Sequence, residues 1–199
     1  MAKDGTALID AASRGDLATL RRLIAGGADI EARDGRGRTA LLAATHADEV
    51  AAARLLIEAG ANVNAKDDIQ DSPYLYAAAE GRLEILRLAL AHGADLRSTN
   101  RYGGTGLIPA CHHGHVAVVR ELLATKIDID HVNRLGWTAL LEAVILGDGT
   151  PTYVEIVGLL LAAGATVNLA DREGVTPLAH ARRARQTAVV ALLEKAGGR

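Results

Sequence analysis

The sequence predicts an all-α protein built as a solenoid, in which helix-turn-helix units joined by hairpin-like loops stack in a row. The first observation is a seven-residue pattern that occurs six times in 199 residues: TALIDAA, TALLAAT, SPYLYAA, TGLIPAC, TALLEAV and TPLAHAR. The pattern starts at Thr6, Thr39, Ser72, Thr105, Thr138 and Thr176, with spacings of 33, 33, 33, 33 and 38 residues. The second observation is an apolar block, such as ARLLIEAGANV, that follows the pattern in most repeats at a similar distance. A fixed period of this length is typical of repeat architectures.

Each repeat is predicted to hold two short helices. Thr or Ser before the first helix is a favourable N-cap, because its hydroxyl accepts a backbone N–H. Pro73 and Pro177 follow at the first helical position, where proline is tolerated. The first helix is predicted to end near a glycine, at Gly15, Gly81, Gly114 and Gly147, and the second at Gly27, Gly60, Gly93 and Gly164. A single pair cannot bury its own apolar face, whereas stacked pairs can.

The repeats divide the chain into regular segments of one expected domain, residues 1–199. They cover about 4–34, 35–67, 68–100, 101–133, 134–171 and 172–199, and the first and last are expected to act as caps. The fifth repeat contains an insertion at 148–152, within GDGTPT, whose Gly, Asp and Pro predict a loop. Such an insertion either belongs to a functional face or is a tolerated lengthening of the surface.

Composition and motifs exclude several classes of protein. A net charge of -2 gives no basic surface for nucleic acid or an anionic membrane, so we predict neither as a partner. No apolar run approaches the roughly 20 residues that cross a membrane. No catalytic signature such as G-x-S-x-G, H-E-x-x-H or C-x-x-C occurs, so we predict no enzyme activity and no cofactor. The start lacks the apolar core of a signal peptide. We therefore expect a cytoplasmic monomer, or a periplasmic or secreted one if a signal peptide was removed.

The repeated unit resembles the ankyrin repeat, whose pattern is close to D-x-x-G-x-T-P-L-H-x-A-A-x-x-G-H, an apolar helix and G-A-D-V-N-A. The last three repeats, in stretches such as NRLGWTALLEAVILGD, look more narrowly like small bacterial stand-alone ankyrin-repeat proteins. The resemblance implies an L-shaped ankyrin-repeat solenoid, with hairpin fingers and first helices lining a concave face. It also implies a protein partner, such as a bacterial enzyme or toxin that the ankyrin protein protects or stabilises.

Several positions depart from that pattern, and three of them bear on the local structure. Tyr74 replaces a leucine, and we expect its ring in the core with its hydroxyl at an edge. Lys126 replaces the glycine that ends the second helix. If it keeps the left-handed backbone conformation, the strain is on the order of 1 kcal/mol. Pro109 lies one turn into a first helix and predicts a tight or slightly bent first turn.

The stretch ACHHGH, residues 110–115, raises the question of a metal or nucleophile site. In register, Cys111 occupies a small buried helix position and is predicted to be a core residue. His115 matches the histidine of the ankyrin pattern and is expected to be structural. His112 and His113 take variable positions at the end of the first helix, on the predicted binding side. Metal or small-ligand binding by these three histidines stays an alternative, as does a self-associating structural array.

The loops before the first helices, here called fingertips, carry the best candidates for partner binding. They read DGRGRT (34–39), DDIQDS (67–72), NRYGGT (100–105), NRLGWT (133–138) and DREGVT (171–176). Trp, Tyr and Arg are enriched in binding hot spots. The predicted contact residues are Arg101, Tyr102, Arg134, Leu135, Trp137, His112, His113, Arg36, Arg38 and Arg172. Alternatively, the arginines stack on the aromatic ring of the next fingertip or pair with acidic residues of the fingertips, such as Asp34 and Asp71.

Overall fold

The computed structural model describes residues 2–199, with side chains from residue 5 onward. Residues 2–199 form helices and turns without a strand, so the all-α prediction is confirmed. The helices are α1 (Ala2–Ser13), α2 (Leu17–Ala25), α3 (Ala40–His46), α4 (Val50–Glu58), α5 (Pro73–Ala79), α6 (Leu83–Ala91), α7 (Leu107–His112), α8 (Val116–Leu123), α9 (Ala139–Ile145), α10 (Pro151–Ala162), α11 (Pro177–Arg183) and α12 (Thr187–Lys195). Each predicted repeat therefore supplies one pair.

The chain divides into two compact units. The N-terminal unit holds residues up to Ala78 together with Arg82–Arg101, and the C-terminal unit holds Ala79–Gly81 and Tyr102–Arg199. Inside each unit, a first helix packs on its own second helix and on the next first helix, as α1 does with α2 and α3. Second helices also pack on one another, as α8 does on α10 and α10 on α12. This gives each unit two helical layers with an apolar core between them.

The core is built from alanine, leucine and other aliphatic side chains, and one aromatic ring departs from the sequence prediction. Tyr74 is fully buried, and its hydroxyl has no hydrogen-bond partner among the described residues. The expectation that this hydroxyl lies at an edge is therefore wrong, because the whole side chain has entered the core. Burial raises the pKa of Tyr74, with a further contribution from Asp95.

The predicted caps are confirmed at most first helices. Thr39, Thr138 and Thr176 each accept the backbone N–H three residues on, and Ser72 accepts that of Leu75. Thr6 and Thr105 are the exceptions. α1 begins at Ala2 and places Thr6 inside the helix, and the Thr105 hydroxyl has no hydrogen-bond partner among the described residues. The second helices end as predicted, at glycines with positive φ such as Gly60 and Gly164.

The fourth repeat is irregular at both ends of its helix pair. In the other repeats, the carbonyl of the capping residue accepts an N–H four residues on, as Thr138 does from Glu142. Pro109 has no N–H to give, so the Thr105 carbonyl instead accepts from Ile108 at 3.2 Å, which makes the predicted tight first turn. Lys126 has no positive φ, so neither the left-handed conformation nor its strain occurs there.

The end of α8 has a different cap in place of the missing glycine. The Thr125 hydroxyl donates to the Leu122 carbonyl at 2.6 Å and accepts from the Ile127 N–H at 3.2 Å. One side chain thus satisfies a carbonyl and an N–H at this helix end. The Thr125 hydroxyl therefore replaces the glycine cap without backbone strain.

The insertion in the fifth repeat is only partly a loop. Residues 148–150 lie in the connection between α9 and α10, and Pro151 and Thr152 already belong to α10, which is 12 residues long. On one side, the Tyr153 hydroxyl donates to the His112 carbonyl at 2.7 Å. On the other, Gln186 Nε2 donates to the Val144 and Gly147 carbonyls at 3.0 and 2.9 Å. The residues that flank the inserted segment are therefore bound to the repeats before and after it.

Candidate partner-binding surface

Four of the five fingertips are tight turns, each closed by the carboxylate or amide that begins it. Asn133 Oδ1 accepts the backbone N–H groups of Leu135 (2.9 Å) and Trp137 (3.1 Å), and Asn133 N donates to the Trp137 carbonyl. Asp34, Asp67 and Asp171 make the same pair of side-chain contacts in their fingertips. This closure holds each loop in one conformation before any partner binds.

Neighbouring fingertips in the C-terminal unit are joined through their backbones. The Arg134 N–H donates to the Tyr102 carbonyl at 2.9 Å, and His131 Nε2 donates to the Gly103 carbonyl at 2.7 Å. A Cβ added to Gly103 would lie 2.9 Å from Cγ of Arg134, so the arginine stem packs directly on this glycine. His131 thus joins the segment before the fingertip 133–138 to the fingertip 100–105.

These joined fingertips present apolar side chains to solvent. Tyr102 is 53% exposed and Leu135 is 50% exposed, although both are large hydrophobic residues. Trp137 is half-buried beside them, and Val132 in the preceding segment is 47% exposed. Single exposed apolar residues are common. Several on adjacent, hydrogen-bonded loops form a patch of the kind that protein partners cover.

The predicted arginines differ in how far their side chains are already engaged. In the N-terminal unit, Arg38 forms an ion pair with Asp34, with its Nε and one Nη atom 2.8 and 2.7 Å from Oδ2. Arg101 lies 3.8 Å from Asp71, and Arg36 is exposed. In the C-terminal unit, Arg134 and Arg172 are exposed, and each packs its stem on a glycine of the preceding fingertip. Fingertip acids therefore do pair with part of the arginine set.

The three histidines lie together but face different partners. The ring centroids of His112 and His113 are 4.6 Å apart, and those of His113 and His115 are 5.9 Å apart. His113 Nδ1 donates to the Ala79 carbonyl at 2.6 Å, and the His115 ring packs against Gly81. Burial lowers the pKa of His112, and the neighbouring His113 lowers it further. No group of His, Cys, Asp or Glu in the described part of the chain is arranged to hold a metal ion.

Cys111 is a core residue, as predicted. It is fully buried, and burial raises the pKa of its thiol, with a smaller contribution from Glu142. A nucleophilic cysteine needs a lowered pKa and access to substrate. Cys111 has neither property.

Glu142 and its partner Asn133 are functional-site features that the sequence reasoning missed. The Glu142 side chain is 6% exposed, and its Oε1 accepts a hydrogen bond of 2.9 Å from Asn133 Nδ2. Its Oε2 lies 3.8 Å from His112 Nδ1. Burial raises the pKa of Glu142, although Asn133 and the nearby His113 offset part of the rise. The contact fixes the fingertip of repeat five (133–138) to α9.

The sixth repeat has a matching connection with different chemistry. His180 Nε2 donates to Asp171 Oδ2 at 2.6 Å, and these residues occupy the positions of Glu142 and Asn133. Burial alone would raise the pKa of Asp171. Hydrogen bonds from His180 and from the backbone N–H groups of Val175 and Glu173 outweigh it and lower the pKa. The only signal in the sequence was a polar pair nine residues apart in consecutive repeats.

The ten predicted contact residues fall in both units. The C-terminal unit brings together Tyr102, Arg134, Leu135 and Trp137 at two fingertips, and His112 and His113 at the end of α7. Arg172 lies in the last fingertip of the same unit, whereas Arg36, Arg38 and Arg101 belong to the N-terminal unit. No helix in residues 2–199 has the length and apolar character needed to cross a membrane.

Comparison with known proteins gives consistent results over nearly the whole chain. A family model described as ankyrin repeats (3 copies) matches residues 2–67 and 74–171. An ankyrin repeat domain from Acinetobacter baumannii AYE is 56% identical, with a TM-score of 0.94, over 96% of this chain and 98% of that one. An ankyrin repeat protein from Enterococcus is 39% identical, with a TM-score of 0.93, over 96% and 98%.

A more distant structure has the same helix-pair arrangement. The ankyrin repeat domain of Bcl-3, a member of the IkappaB protein family, is 28% identical, with a TM-score of 0.87. That match covers 97% of this chain and 86% of the other. None of the curated proteins gives a match.

Proposed function

The chain belongs to the ankyrin repeat family, and from this premise we propose that it is a non-enzymatic scaffold that binds one partner protein. Ankyrin repeats are generally protein–protein interaction modules. The proposed contact surface consists of the fingertips of repeats four and five and the adjoining end of α7. Its residues are Tyr102, Arg134, Leu135, Trp137, His112 and His113, with Arg36, Arg38, Arg101 and Arg172 as further contacts.

One observation carries this proposal: two large apolar side chains, Tyr102 and Leu135, are half exposed on fingertips that are hydrogen-bonded to each other. Exposed apolar area favours association because binding removes it from water. Loops that are closed by Asn133 and joined through Arg134 lose little conformational entropy on binding. The surface therefore combines a driving force with a low ordering cost.

The similarity to bacterial ankyrin repeat proteins supports a bacterial partner. We propose a bacterial enzyme or toxin that this protein protects or stabilises by covering part of its surface. The fully buried Cys111 supports a scaffold without its own nucleophile at the histidine cluster. The arginines next to Tyr102 and Leu135 favour an apolar patch with acidic neighbours on the partner.

The test is capture of the partner from extracts of the native organism, followed by affinity measurement with single variants. Tyr102→Ala and Trp137→Ala should each weaken the complex by more than about 2 kcal/mol, which is roughly a thirtyfold change in Kd. Leu161→Ala, a half-buried leucine on α10 outside the proposed surface, is the matched control and should leave Kd unchanged. Unchanged affinity in both aromatic variants would overturn the assignment of this surface.

Self-association is the alternative outcome for the same apolar patch. Light scattering over a wide range of protein concentration separates the two. A constant monomer mass supports a separate partner, and a mass that rises with concentration and is lost in Tyr102→Ala contradicts the proposal. The comparison with Leu161→Ala excludes a general effect of truncating a side chain.

A further inference from the structure

A second candidate site lies in the N-terminal unit, beside the fingertip 34–39. A cavity of about 350 Å³ opens between α1, the fingertip 34–39 and α3. Its lining includes Ile9 and Asp10 from α1, the Asp34–Arg38 ion pair from the fingertip, and Ala43 and His46 from α3. The volume is within the range of small-ligand sites and exceeds that of a single side chain.

The cavity exists because one position of α3 carries a small residue. Ala43 corresponds to the fifth position of the repeated pattern. The other five repeats have larger residues at that position: Asp10, Tyr76, Pro109, Glu142 and His180. Ala43 is buried but fills little of the space beside it. The lining is therefore specific to this repeat and is not a general property of the fold.

The charges around the cavity leave one carboxylate available. Asp34 is saturated, because Oδ1 accepts the Arg36 and Arg38 N–H groups and Oδ2 accepts from the Arg38 guanidinium. Asp10 is exposed, and its carboxylate forms no hydrogen bond or ion pair with the described residues. Arg38 is the cation of the lining, and Asp34 already neutralises it. Among the described residues of the lining, a ligand therefore meets one unpaired acceptor and no unpaired cation.

The remaining walls suit a planar cation on an apolar stem. The His46 ring lies on the Tyr76 ring, with centroids 3.8 Å apart and planes 18° apart, so its orientation is fixed. Ile9 and Ala43 supply apolar surface next to Asp10. A guanidinium group pairs with carboxylates and stacks on flat rings, while its methylene stem packs on apolar side chains.

From these contacts we infer that the cavity receives an arginine side chain of a protein partner, with Asp10 as its carboxylate acceptor. This inference rests on the proposed function, since it adds one contact to the binding of a protein. An anionic group would face Asp10 without a free cation to hold it. A metal ion would find one available carboxylate, which is too few ligands for a specific site.

The probe is the capped tripeptide acetyl-Gly-Arg-Gly-amide, titrated into the full chain labelled with ¹⁵N. We expect saturable chemical-shift changes at the backbone amides of residues 9–13 and 43–47. The matching peptide with citrulline has the same shape without the charge and should bind about tenfold more weakly. Equal binding of the two peptides, or shifts confined to other residues, would overturn the inference.

Two variants identify the acceptor. Asp10→Asn keeps the size of the side chain and should reduce the affinity for the arginine peptide to that of the citrulline peptide. Glu58→Gln, which neutralises an exposed carboxylate on α4, is the control and should bind like the parent protein. Undiminished binding by Asp10→Asn contradicts the inference. This titration needs no native partner, so its failure leaves the result for Tyr102 and Trp137 standing, and the reverse also holds.

Discussion

Asn133 connects the fingertip of repeat five (133–138) to α9 through Glu142. Its Nδ2 donates to Glu142 Oε1 at 2.9 Å, while its Oδ1 accepts the N–H groups of Leu135 and Trp137. One amide therefore closes the loop and anchors it to α9. The carboxylate at the other end of this contact is buried and lies near His112 and His113, which makes the anchor sensitive to pH.

Glu142→Gln should stabilise the protein at neutral pH. Burial raises the pKa of Glu142 in the folded protein, so the folded state binds this proton more tightly than the unfolded chain does. The stability that this group provides is present below its unfolded pKa of about 4.3 and is lost as the pH rises through the higher folded pKa. Glutamine keeps the oxygen that accepts from Asn133 and never ionises.

Urea denaturation between pH 4 and pH 8 measures this effect. The difference in unfolding free energy between Glu142→Gln and the parent should be largest at pH 7 to 8 and shrink toward pH 4. Glu173→Gln, at an exposed carboxylate in the next fingertip, should show no such trend. A difference that grows toward low pH would contradict the explanation by burial.

Gly136→Ala should destabilise the fingertip of repeat five (133–138). Gly136 has a φ of 87°, and a Cβ at this residue would lie 2.5 Å from Cγ of Arg172. An alanine in the left-handed region costs about 1–2 kcal/mol, so the unfolding free energy should fall by at least about 1 kcal/mol. Gly158→Ala is the matched control, since Gly158 lies inside α10 with open space around it and should gain about 0.5–1 kcal/mol. Loss of stability in both variants would contradict the argument.

Tyr74→Phe should not destabilise the protein, although Tyr74 is fully buried. Its hydroxyl has no partner among the described residues, so its removal takes away a buried polar group that is unsatisfied. We expect an unfolding free energy that is unchanged or higher by up to about 1 kcal/mol. Tyr153→Phe removes a hydroxyl that donates to the His112 carbonyl and should cost about 0.5–1.5 kcal/mol. Chemical denaturation of both variants decides the point, and an equal loss in the two would refute it.

Cys111 should resist thiol reagents in the folded protein. The thiol is fully buried and its pKa is raised by burial, so thiolate is scarce and reagents lack access. Labelling with a chromogenic disulfide at pH 8 should be slow in buffer and become fast in denaturing urea. Rapid labelling under native conditions would mean that the fourth repeat opens and that Cys111 is not a packed core residue.

The helix pairs were predictable because their signals are local. The distance from Thr138 to Leu141 is three residues, and the cap follows from the type of the first residue alone. The Asn133–Glu142 contact joins a loop to a helix nine residues away, and nothing in either residue specifies that they meet. Tyr74 shows a second limit. A tyrosine hydroxyl normally contacts water or another hydrogen-bond partner, and only the packing around α5 shows that this hydroxyl is buried.

The fingertips show the same division between local and longer-range information. Gly136 and its neighbours predicted a turn, but the packing of Arg172 on Gly136 depends on the exact spacing of two repeats. The fourth repeat was predicted correctly at Pro109, where a missing N–H has a local effect, whereas the backbone conformation of Lys126 was left open. There the Thr125 hydroxyl replaces the glycine cap through a contact that a glycine pattern does not reveal.

The insertion in repeat five affects how the C-terminal repeats should unfold. In repeat arrays, each unit is held mainly by its neighbours, so terminal units fray one at a time. The Tyr153 hydrogen bond joins the fifth repeat to the end of α7 in the fourth. The Gln186 hydrogen bonds join the sixth repeat to the residues just before the insertion. The last three repeats should therefore open and close as one cooperative block, with shared hydrogen-exchange protection in place of stepwise fraying from the C-terminus.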